Sequence, residues 1–396
     1  MKSFIITVGD ELEKGLIPDR NGFYLARKCF ERGLDNIGIL ATGSDTYKLQ
    51  YFIKLALDKA DLVFLLARKE NIPTLQESIS EAIGVPLVFN EKWLKVLKDK
   101  YSIENENWQK IKLLARLPYN ARLVENPYDD AAGFIKVLDD VQKAVVFILV
   151  GTSFEKLVDE TFNLLTLTDK LYFTHMFRTY GKSKSDIEKL LKDVDKKFLV
   201  ESPKGVDIFV YEQEKEFLQN KVLVIRERLG NTIYTEKEEE MEDVVGRLLK
   251  EKGLTISTAE SSTGGLIAAR IVNTPGSSTY FKGSVVAYSN EVKVGVLKVS
   301  KRDLEKFGAV SEPVASQMAK GVKDLLKTDL AVSDTGIAGP TGETKEKPVG
   351  LHYIGFATPE EIKVEKVIFK GSRNEVRLRV SQHALNIIRL YLLLSS

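Results

Sequence analysis

The side chains best suited to chemistry lie in two short stretches, residues 258–265 and residues 287–293. The first places Ser261 at a predicted turn from a strand into a helix, and the second carries Lys293; the apolar runs around both predict burial. A serine hydroxyl attacks a substrate only when a base takes its proton, and a lysine shielded from water gives up its own proton more readily. The pair therefore predicts a serine nucleophile with a lysine as its general base.

Three hydroxyls and two glycines make up the predicted turn. Ser261, Ser262 and Thr263 precede Gly264 and Gly265 at the expected start of a helix. Backbone N–H groups there can bind an oxyanion or a phosphate, and glycine lets a ligand approach the backbone. The alternative is structural, because a serine or threonine at this position commonly caps the helix. The turn by itself is compatible with both.

A second glycine-rich turn, residues 334–342, follows a predicted strand. Its backbone amides, including those of Gly336 and Gly339, could cradle a phosphate. It could equally be a surface connection, because the Lys-Ser/Thr pair of a Walker loop does not follow. Arg373 precedes a predicted helix at 375–393 and could pair with a phosphate or a carboxylate, or be an exposed surface arginine.

Length and composition describe an ordinary globular protein. The 396 residues predict two or three domains. A formal net charge of +2 gives no general attraction to nucleic acid or to an anionic membrane. No apolar run reaches the ~20 residues of a spanning helix, and residues 1–6 read as a strand rather than a signal peptide. We therefore expect a cytoplasmic protein without nucleic-acid or membrane partners.

Cysteine and histidine give no sign of a metal centre. Cys29 is the single cysteine, and its place on the apolar side of a predicted helix indicates an inert core residue. The three histidines, His175, His352 and His383, lack the spacing of metal ligands. His352 lies in an alternating run and is expected to pack within a strand, so Ser-His-Asp chemistry has little support. We expect neither a metal ion nor a cofactor.

The order of predicted elements indicates an α/β protein of three domains. Residues 1–170 alternate strands with helices, as in a doubly wound open sheet. Residues 171–238 predict a small α+β subdomain, KH-like but without the Gly-x-x-Gly loop that clamps RNA. Residues 239–396 predict a further α/β domain. The predicted strands include 4–8, 37–41, 61–67, 144–150, 172–178, 206–211, 222–227 and 254–259. The predicted helices include 21–32, 47–59 and 184–197. A further predicted helix has the acidic run 236–240 in its first turn and ends at Gly253.

Seven short motifs follow one another in the third domain. They are Ala-Glu-Ser-x-Thr-Gly-Gly (259–265), Pro-Gly-Ser-Ser (275–278), Tyr-Ser-Asn-Glu-x-Lys (288–293), Gly-Ala-Val-Ser-Glu (308–312), Thr-Gly-Ile-Ala-Gly-Pro (335–340), Lys-Pro-Val-Gly (347–350) and Gly-x-Arg (371–373). Together they resemble the C-terminal domain of the competence/damage-inducible protein A (CinA) family, the nicotinamide mononucleotide deamidases. Ser262 stands where that family usually has cysteine, and Ser372 where it usually has aspartate; neither departure removes the nucleophile or the base.

The resemblance implies an amidohydrolase that converts nicotinamide mononucleotide to nicotinate mononucleotide and ammonia in pyridine-nucleotide salvage. Ser261 is then the nucleophile, Lys293 its general base and Tyr288 an aid to proton transfer. The amides of Gly264 and Gly265 are our candidates for an oxyanion hole. The residues expected to bind the substrate, with Thr335 and Arg373 also supporting catalysis, are Thr263, Gly264, Gly265, Asn290, Thr335, Gly336, Gly339 and Arg373.

The first domain is similar to the molybdopterin-binding-like N-terminal domain of the same family, through Val-Gly-Asp-Glu-Leu at 8–12 and Asp-Leu-Val at 61–63. For full-length members the resemblance also implies hydrolysis of ADP-ribose with a divalent metal. The family pattern Gly-Gly-Leu-Gly-Pro-Thr-x-Asp-Asp is replaced here by residues 66–74, which contain neither the glycine pair nor the aspartate pair. We therefore expect a degenerate site, and a domain retained as the scaffold of a homodimer.

Two other functions stay open from the sequence. One is a non-enzymatic protein that binds a nucleotide or a pterin-like molecule with the same glycine loops. The other is a metal-dependent ADP-ribose pyrophosphatase in the first domain. Ammonia release from nicotinamide mononucleotide separates a deamidase from the first alternative, and a metal requirement separates it from the second.

Overall fold

The computed structural model describes residues 1–101, 107–138, 143–165 and 172–394. The chain forms two compact units, one of residues 1–174 with 211–218 and the other of residues 175–210 with 219–396. The expected domain boundary between residues 170 and 171 lies outside the described residues. None of the helices in the described ranges has the length and apolar composition needed to cross a bilayer.

The first unit is built on a six-stranded sheet in the order β2-β1-β3-β8-β7-β6. The first four strands of that order run parallel, and β7 and β6 complete the sheet in antiparallel pairing. The six strands are β1 (Lys2–Val8), β2 (Asp35–Thr42), β3 (Leu62–Ala67), β6 (Arg122–Val124), β7 (Gly133–Leu138) and β8 (Lys143–Leu149). The strands β4 (Leu87–Phe89) and β5 (Arg116–Pro118) form a separate antiparallel pair. The helices of this unit are α1 (Asp10–Glu13), α2 (Arg20–Glu31), α3 (Thr46–Lys59), α4 (Ile72–Ile83), α5 (Glu91–Lys100), α6 (Trp108–Ile111) and α7 (Phe154–Leu164).

This arrangement confirms the α/β fold predicted for the first part of the chain. Every residue of β3 is buried, as its uninterrupted apolar sequence predicts for the interior of a parallel sheet. Cys29 lies fully buried on α2, where burial raises the pKa of its thiol to about 12, which confirms it as an inert core residue.

A small four-stranded sheet follows, in the order β10-β11-β9-β12. Its strands are β9 (Phe173–Thr179), β10 (Lys197–Ser202), β11 (Gly205–Glu212) and β12 (Ile233–Thr235), and its helices are α8 (Lys184–Leu190) and α9 (Lys215–Leu229). The predicted strand at 222–227 is wrong, because those residues belong to α9. The buried side chains of α9 recur at helical intervals of three and four; they are Leu218, Val222, Ile225 and Leu229. The predicted helix at 184–197 is too long, and β10 begins at its expected end.

The last part of the chain forms a five-stranded sheet in the order β14-β13-β15-β16-β17. Its strands are β13 (Ile256–Glu260), β14 (Phe281–Val286), β15 (Leu330–Gly336), β16 (Leu351–Ala357) and β17 (Ile362–Ile368). Its helices are α10 (Met241–Lys252), α11 (Leu266–Asn273), α12 (Asn290–Gly295), α13 (Lys301–Phe307), α14 (Glu312–Leu326) and α15 (Arg373–Leu394). The strands β14, β13 and β15 are parallel, so their carboxyl ends lie at one edge of the sheet.

Helices cover both faces of this sheet. On β15, Leu330 and Val332 belong to a core cluster with α10 and α15, whereas Ala331 between them belongs to a second cluster with α14. This alternation is the period of two of a strand buried on both faces. Helix α10 begins at Met241, directly after the acidic run rather than within it, and ends as expected at Gly253.

Candidate active site

The structure brings Ser261 and Lys293 together at the carboxyl edge of the five-stranded sheet. Ser261 directly follows β13, and Lys293 lies on α12, which begins soon after the neighbouring strand β14. The Nζ atom of Lys293 lies 3.1 Å from Oγ of Ser261. Lys293 is 1% exposed and Ser261 is 9% exposed. The nucleophile and base predicted from the sequence are thus within hydrogen-bonding distance of one another.

The surroundings of Lys293 suit a neutral amine. Besides Ser261, Nζ contacts the backbone carbonyls of Ala287 at 2.6 Å and Tyr288 at 3.5 Å. A neutral amine can donate its two N–H groups to these carbonyls and accept the Ser261 hydroxyl proton with its lone pair. Burial lowers the pKa of Lys293, against an opposing effect of the Asp334 charge. Among the described residues no carboxylate forms an ion pair with Lys293.

Asp334, which the sequence did not single out, anchors the turn that carries Ser261. Its carboxylate accepts hydrogen bonds from the amides of Ser261 at 3.1 Å, Ser262 at 3.0 Å and Thr263 at 3.3 Å. It also accepts from the hydroxyls of Ser262, at 2.5 Å, and Thr263. Asp334 lies on β15, directly beside β13, and is fully buried. The amides of residues 261–263 therefore already bind a carboxylate of the chain itself.

A second buried carboxylate, Glu260, holds the start of α11. It accepts the amides of Ile267 at 3.0 Å and Ala268 at 2.8 Å, and the Thr263 hydroxyl at 2.7 Å. Burial, and then the charge of Asp334, raise the pKa of Glu260. The alternative that Ser262 or Thr263 simply caps α11 is wrong, because Glu260 accepts the first amides of the helix and the Ser262 and Thr263 hydroxyls contact carboxylates.

The two glycines of the turn differ in what their amides do. The Gly264 amide donates to the Ser261 carbonyl at 3.2 Å. No hydrogen-bond partner of the Gly265 amide occurs among the described residues. Gly265 has φ +92°, a backbone conformation that favours glycine. Of the two candidates for an oxyanion hole, Gly265 is therefore the one whose backbone N–H can donate to an oxyanion.

The side chain of Arg373 contacts both Tyr288 and Gly339. Arg373 opens α15 and donates to the Gly339 carbonyl at 2.6 Å and to the Tyr288 phenol oxygen at 3.3 Å. The Tyr288 side chain is 66% exposed, and the residue reaches Lys293 through its backbone carbonyl. The structure thus places a cation and a phenol on the accessible side of the site, where a ligand can meet them.

The remaining predicted site residues have other surroundings. The hydroxyl of Thr335 donates to the Ala309 carbonyl at 2.8 Å and is buried, so it turns away from the solvent side. Gly336 ends β15, where a Cβ atom would lie only 2.0 Å from Cδ2 of His352. His352 itself is fully buried within β16, as expected, and burial lowers its pKa. Asn290 is exposed at the first position of α12.

Comparison with known proteins points to one family. A family model described as the CinA C-terminal domain matches residues 238–392. The chain is 49% identical over 402 residues to a CinA-like protein of Sulfurihydrogenibium sp., with 100% of both chains covered. It is 37% identical over 403 residues to a CinA-like protein of Thermosipho melanesiensis, with 98% of both covered.

Solved structures match a smaller share of the chain. A competence/damage inducible protein of Agrobacterium tumefaciens is 34% identical and covers 40% of this chain and 99% of its own, with a TM-score of 0.37. A CinA superfamily protein of Klebsiella pneumoniae is 29% identical and covers 39% of this chain and 96% of its own, with a TM-score of 0.38. With TM-scores this low, neither similarity bears on the fold of the whole chain.

Proposed function

The chain belongs to the CinA family, and we propose that it is an amidohydrolase that converts nicotinamide mononucleotide to nicotinate mononucleotide and ammonia. The observation that carries this proposal is the buried contact between Lys293 Nζ and Ser261 Oγ at 3.1 Å. A lysine buried without an ion-pair partner costs stability. A protein that only binds a nucleotide has no need for that cost, whereas a serine nucleophile without histidine needs such a base.

The reaction begins at the substrate carboxamide. Lys293 takes the Ser261 proton as Oγ attacks the carboxamide carbon, and the carbonyl oxygen becomes an oxyanion. The Gly265 amide is the donor that can stabilise this oxyanion. The Lys293 ammonium then protonates the departing nitrogen, which leaves as ammonia, and the acyl group stays on Ser261. A water molecule then gives a proton to Lys293 and attacks the ester carbon. The C–Oγ bond breaks, Lys293 returns the proton to Oγ of Ser261, and nicotinate mononucleotide is released.

Arg373 and the turn at Gly339 support recognition of the substrate phosphate. The guanidinium is exposed and is held in place by the Gly339 carbonyl and the Tyr288 phenol. Arginine suits a phosphate because its planar donors match two phosphate oxygens at once. The phosphate would thus sit on the accessible side, while the carboxamide reaches inward to Ser261.

The proposal is tested with the full chain and nicotinamide mononucleotide. Ammonia and nicotinate mononucleotide should appear in equal amounts, and exhaustive chelation should leave the rate unchanged, because a Ser-Lys mechanism needs no Lewis acid. Nicotinamide mononucleotide that binds without turnover would favour the binding protein instead. Turnover that stops in chelator and returns with a divalent ion would overturn the mechanism.

A further inference from the structure

One buried carboxylate beside the nucleophile has no part in the reaction as written above. Asp334 accepts three backbone amides and two hydroxyls from residues 261–263. Several hydrogen bonds of this kind stabilise the ionised form of a carboxyl group. They also fix the backbone on which Ser261 stands, because all five donors belong to one turn.

The Thr263 hydroxyl lies between the two buried carboxyl groups, Asp334 and Glu260. The Thr263 hydroxyl contacts both Asp334 and Glu260, yet it has a single proton to donate. The second contact is satisfied only if one of the two carboxyl groups is protonated. Glu260 receives two amides and Asp334 three, and burial together with the Asp334 charge raises the pKa of Glu260. With three amide donors against two, Asp334 is the carboxylate that the backbone stabilises more.

We propose that Asp334 is a positioning residue of the deamidase, which holds the Ser261 turn and stabilises the ammonium that Lys293 becomes when it takes the serine proton. This inference rests on the proposed function. Ser261 connects the two residues, because its amide donates to Asp334 at 3.1 Å and its Oγ lies 3.1 Å from Lys293 Nζ. The Asp334 charge also opposes the lowering of the Lys293 pKa by burial. A negative charge near the base strengthens it at the moment the proton moves, as preorganised groups do when charge develops.

Other titratable groups around the turn do not replace this charge. Burial and the Asp334 charge raise the pKa of Glu260 on β13, and His352 on β16 is buried with its pKa lowered. Arg377 on α15 donates to the Thr263 carbonyl at 2.6 Å and contributes positive charge. The phenol of Tyr288 contacts Arg373. Asp334 is thus the negative charge that acts on Lys293 from the described neighbours.

The test replaces Asp334 by asparagine, which keeps the shape but removes the charge. The loss of the charge lowers the pKa of Lys293 further, so the acidic limb of the kcat profile against pH should move to lower pH. The base is then weaker and the turn less firmly held, so the plateau of kcat should fall at least about 10-fold. If the asparagine variant does not fold, Asp334→Ser leaves room for a water molecule at the same amides and serves in its place.

Asp329→Asn is the matched control. Asp329 accepts the amide of Thr255 at 2.8 Å and its hydroxyl at 2.6 Å, just before the opposite end of β15. Asp329 also holds backbone and hydroxyl groups in place. Its asparagine variant should therefore keep the parent's plateau of kcat and the parent's position of the acidic limb of the kcat profile against pH. A limb that stays in place for Asp334→Asn, or one that moves equally for Asp329→Asn, would overturn the assignment.

A second readout separates this inference from the proposed function. In protein with ¹³C-labelled lysine, the Cε resonance of Lys293, assigned by its absence in Lys293→Met, reports the titration of the amine without any substrate. Its midpoint should move to lower pH in Asp334→Asn and stay in Asp329→Asn. Absence of deamidation in the parent would contradict the proposed function alone, whereas an unmoved Lys293 midpoint would contradict the role of Asp334.

Discussion

Lys293 is the residue at which function and stability conflict most clearly. Its side chain is 1% exposed, and its pKa is lowered because burial penalises the charged form. The unfolded chain therefore binds more protons than the folded chain as pH falls from the ordinary lysine pKa of 10.5. The resulting cost is absent above pH 10.5, grows as pH falls below that value, and is full once the pH lies below the pKa of the folded state.

Replacing Lys293 by methionine should remove this cost together with activity. Methionine fills a similar volume without a polar atom. We expect the free energy of unfolding at pH 7, measured in urea, to rise by about 1 kcal/mol while deamidation is lost. The exposed Lys320 on α14 is the control, and its change to methionine should stay within ~0.5 kcal/mol of the parent. A Lys293→Met variant less stable than the Lys320 variant would show that the lysine is a structural residue.

The sequence could predict the Ser261–Lys293 pair but not the carboxylates around it. Both members lie in motifs of the family, and each follows one of two parallel strands that end at the same edge. Asp334 contacts amides more than seventy residues away in the chain, and backbone amides carry no sequence signal. The one available hint was its place at the end of a third strand of the same sheet.

At the scale of elements, the strand-to-helix turn after β13 positions the chemistry. Its course needs two consecutive positive φ values, +61° at Gly264 and +92° at Gly265. The sequence predicted this turn from its three hydroxyls and two glycines, and glycine tolerates such backbone angles. The prediction from sequence was wrong at 222–227, where the apolar run is consistent with both a strand and a helix segment. In the structure these residues are helical, and the buried side chains recur at helical intervals.

Gly265→Ala should separate strain from catalysis. An alanine at φ +92° costs about 1 kcal/mol, and its Cβ would lie 3.6 Å from the Val286 side chain, an ordinary contact. Gly253, at φ +64° after α10 and with open space around it, is the control with similar strain. Both variants should lose about the same stability in urea, but the Gly265 variant alone should lose kcat. Equal kcat in the two variants would show that catalysis does not depend on the backbone conformation or the open space at Gly265.

At the scale of the whole molecule, the first unit has the predicted sheet, and its residues 66–74 lack the glycine pair and the aspartate pair of the family pattern. The loop after β3 offers Arg68 and Lys69 as cations, yet both are already paired. Arg68 contacts Glu11 at 3.0 Å, and Lys69 contacts Asp130. Among the described residues, no group of three or more His, Cys, Asp or Glu side chains is placed to hold a metal ion.

We accordingly predict that the full chain does not hydrolyse ADP-ribose. Organised cleavage of a pyrophosphate needs charge to stabilise the transferring group, and the cations of this loop are engaged by carboxylates. AMP should stay at the level of heat-inactivated protein with magnesium, manganese or cobalt present, as measured by chromatography. Metal-dependent AMP formation above that level would show that other carboxylates have taken over the role.

The most direct test of the account is a double-mutant cycle on Ser261 and Lys293 with nicotinamide mononucleotide as substrate. Ser261→Ala and Lys293→Ala should each lower kcat about 1000-fold or more, and the double variant should cost little beyond either, because nucleophile and base act as one unit. Ser257→Ala, which removes another buried hydroxyl of β13, should keep the activity of the parent. Ser261→Ala with near-parental ammonia release, or two losses that simply multiply in the double variant, would contradict the account.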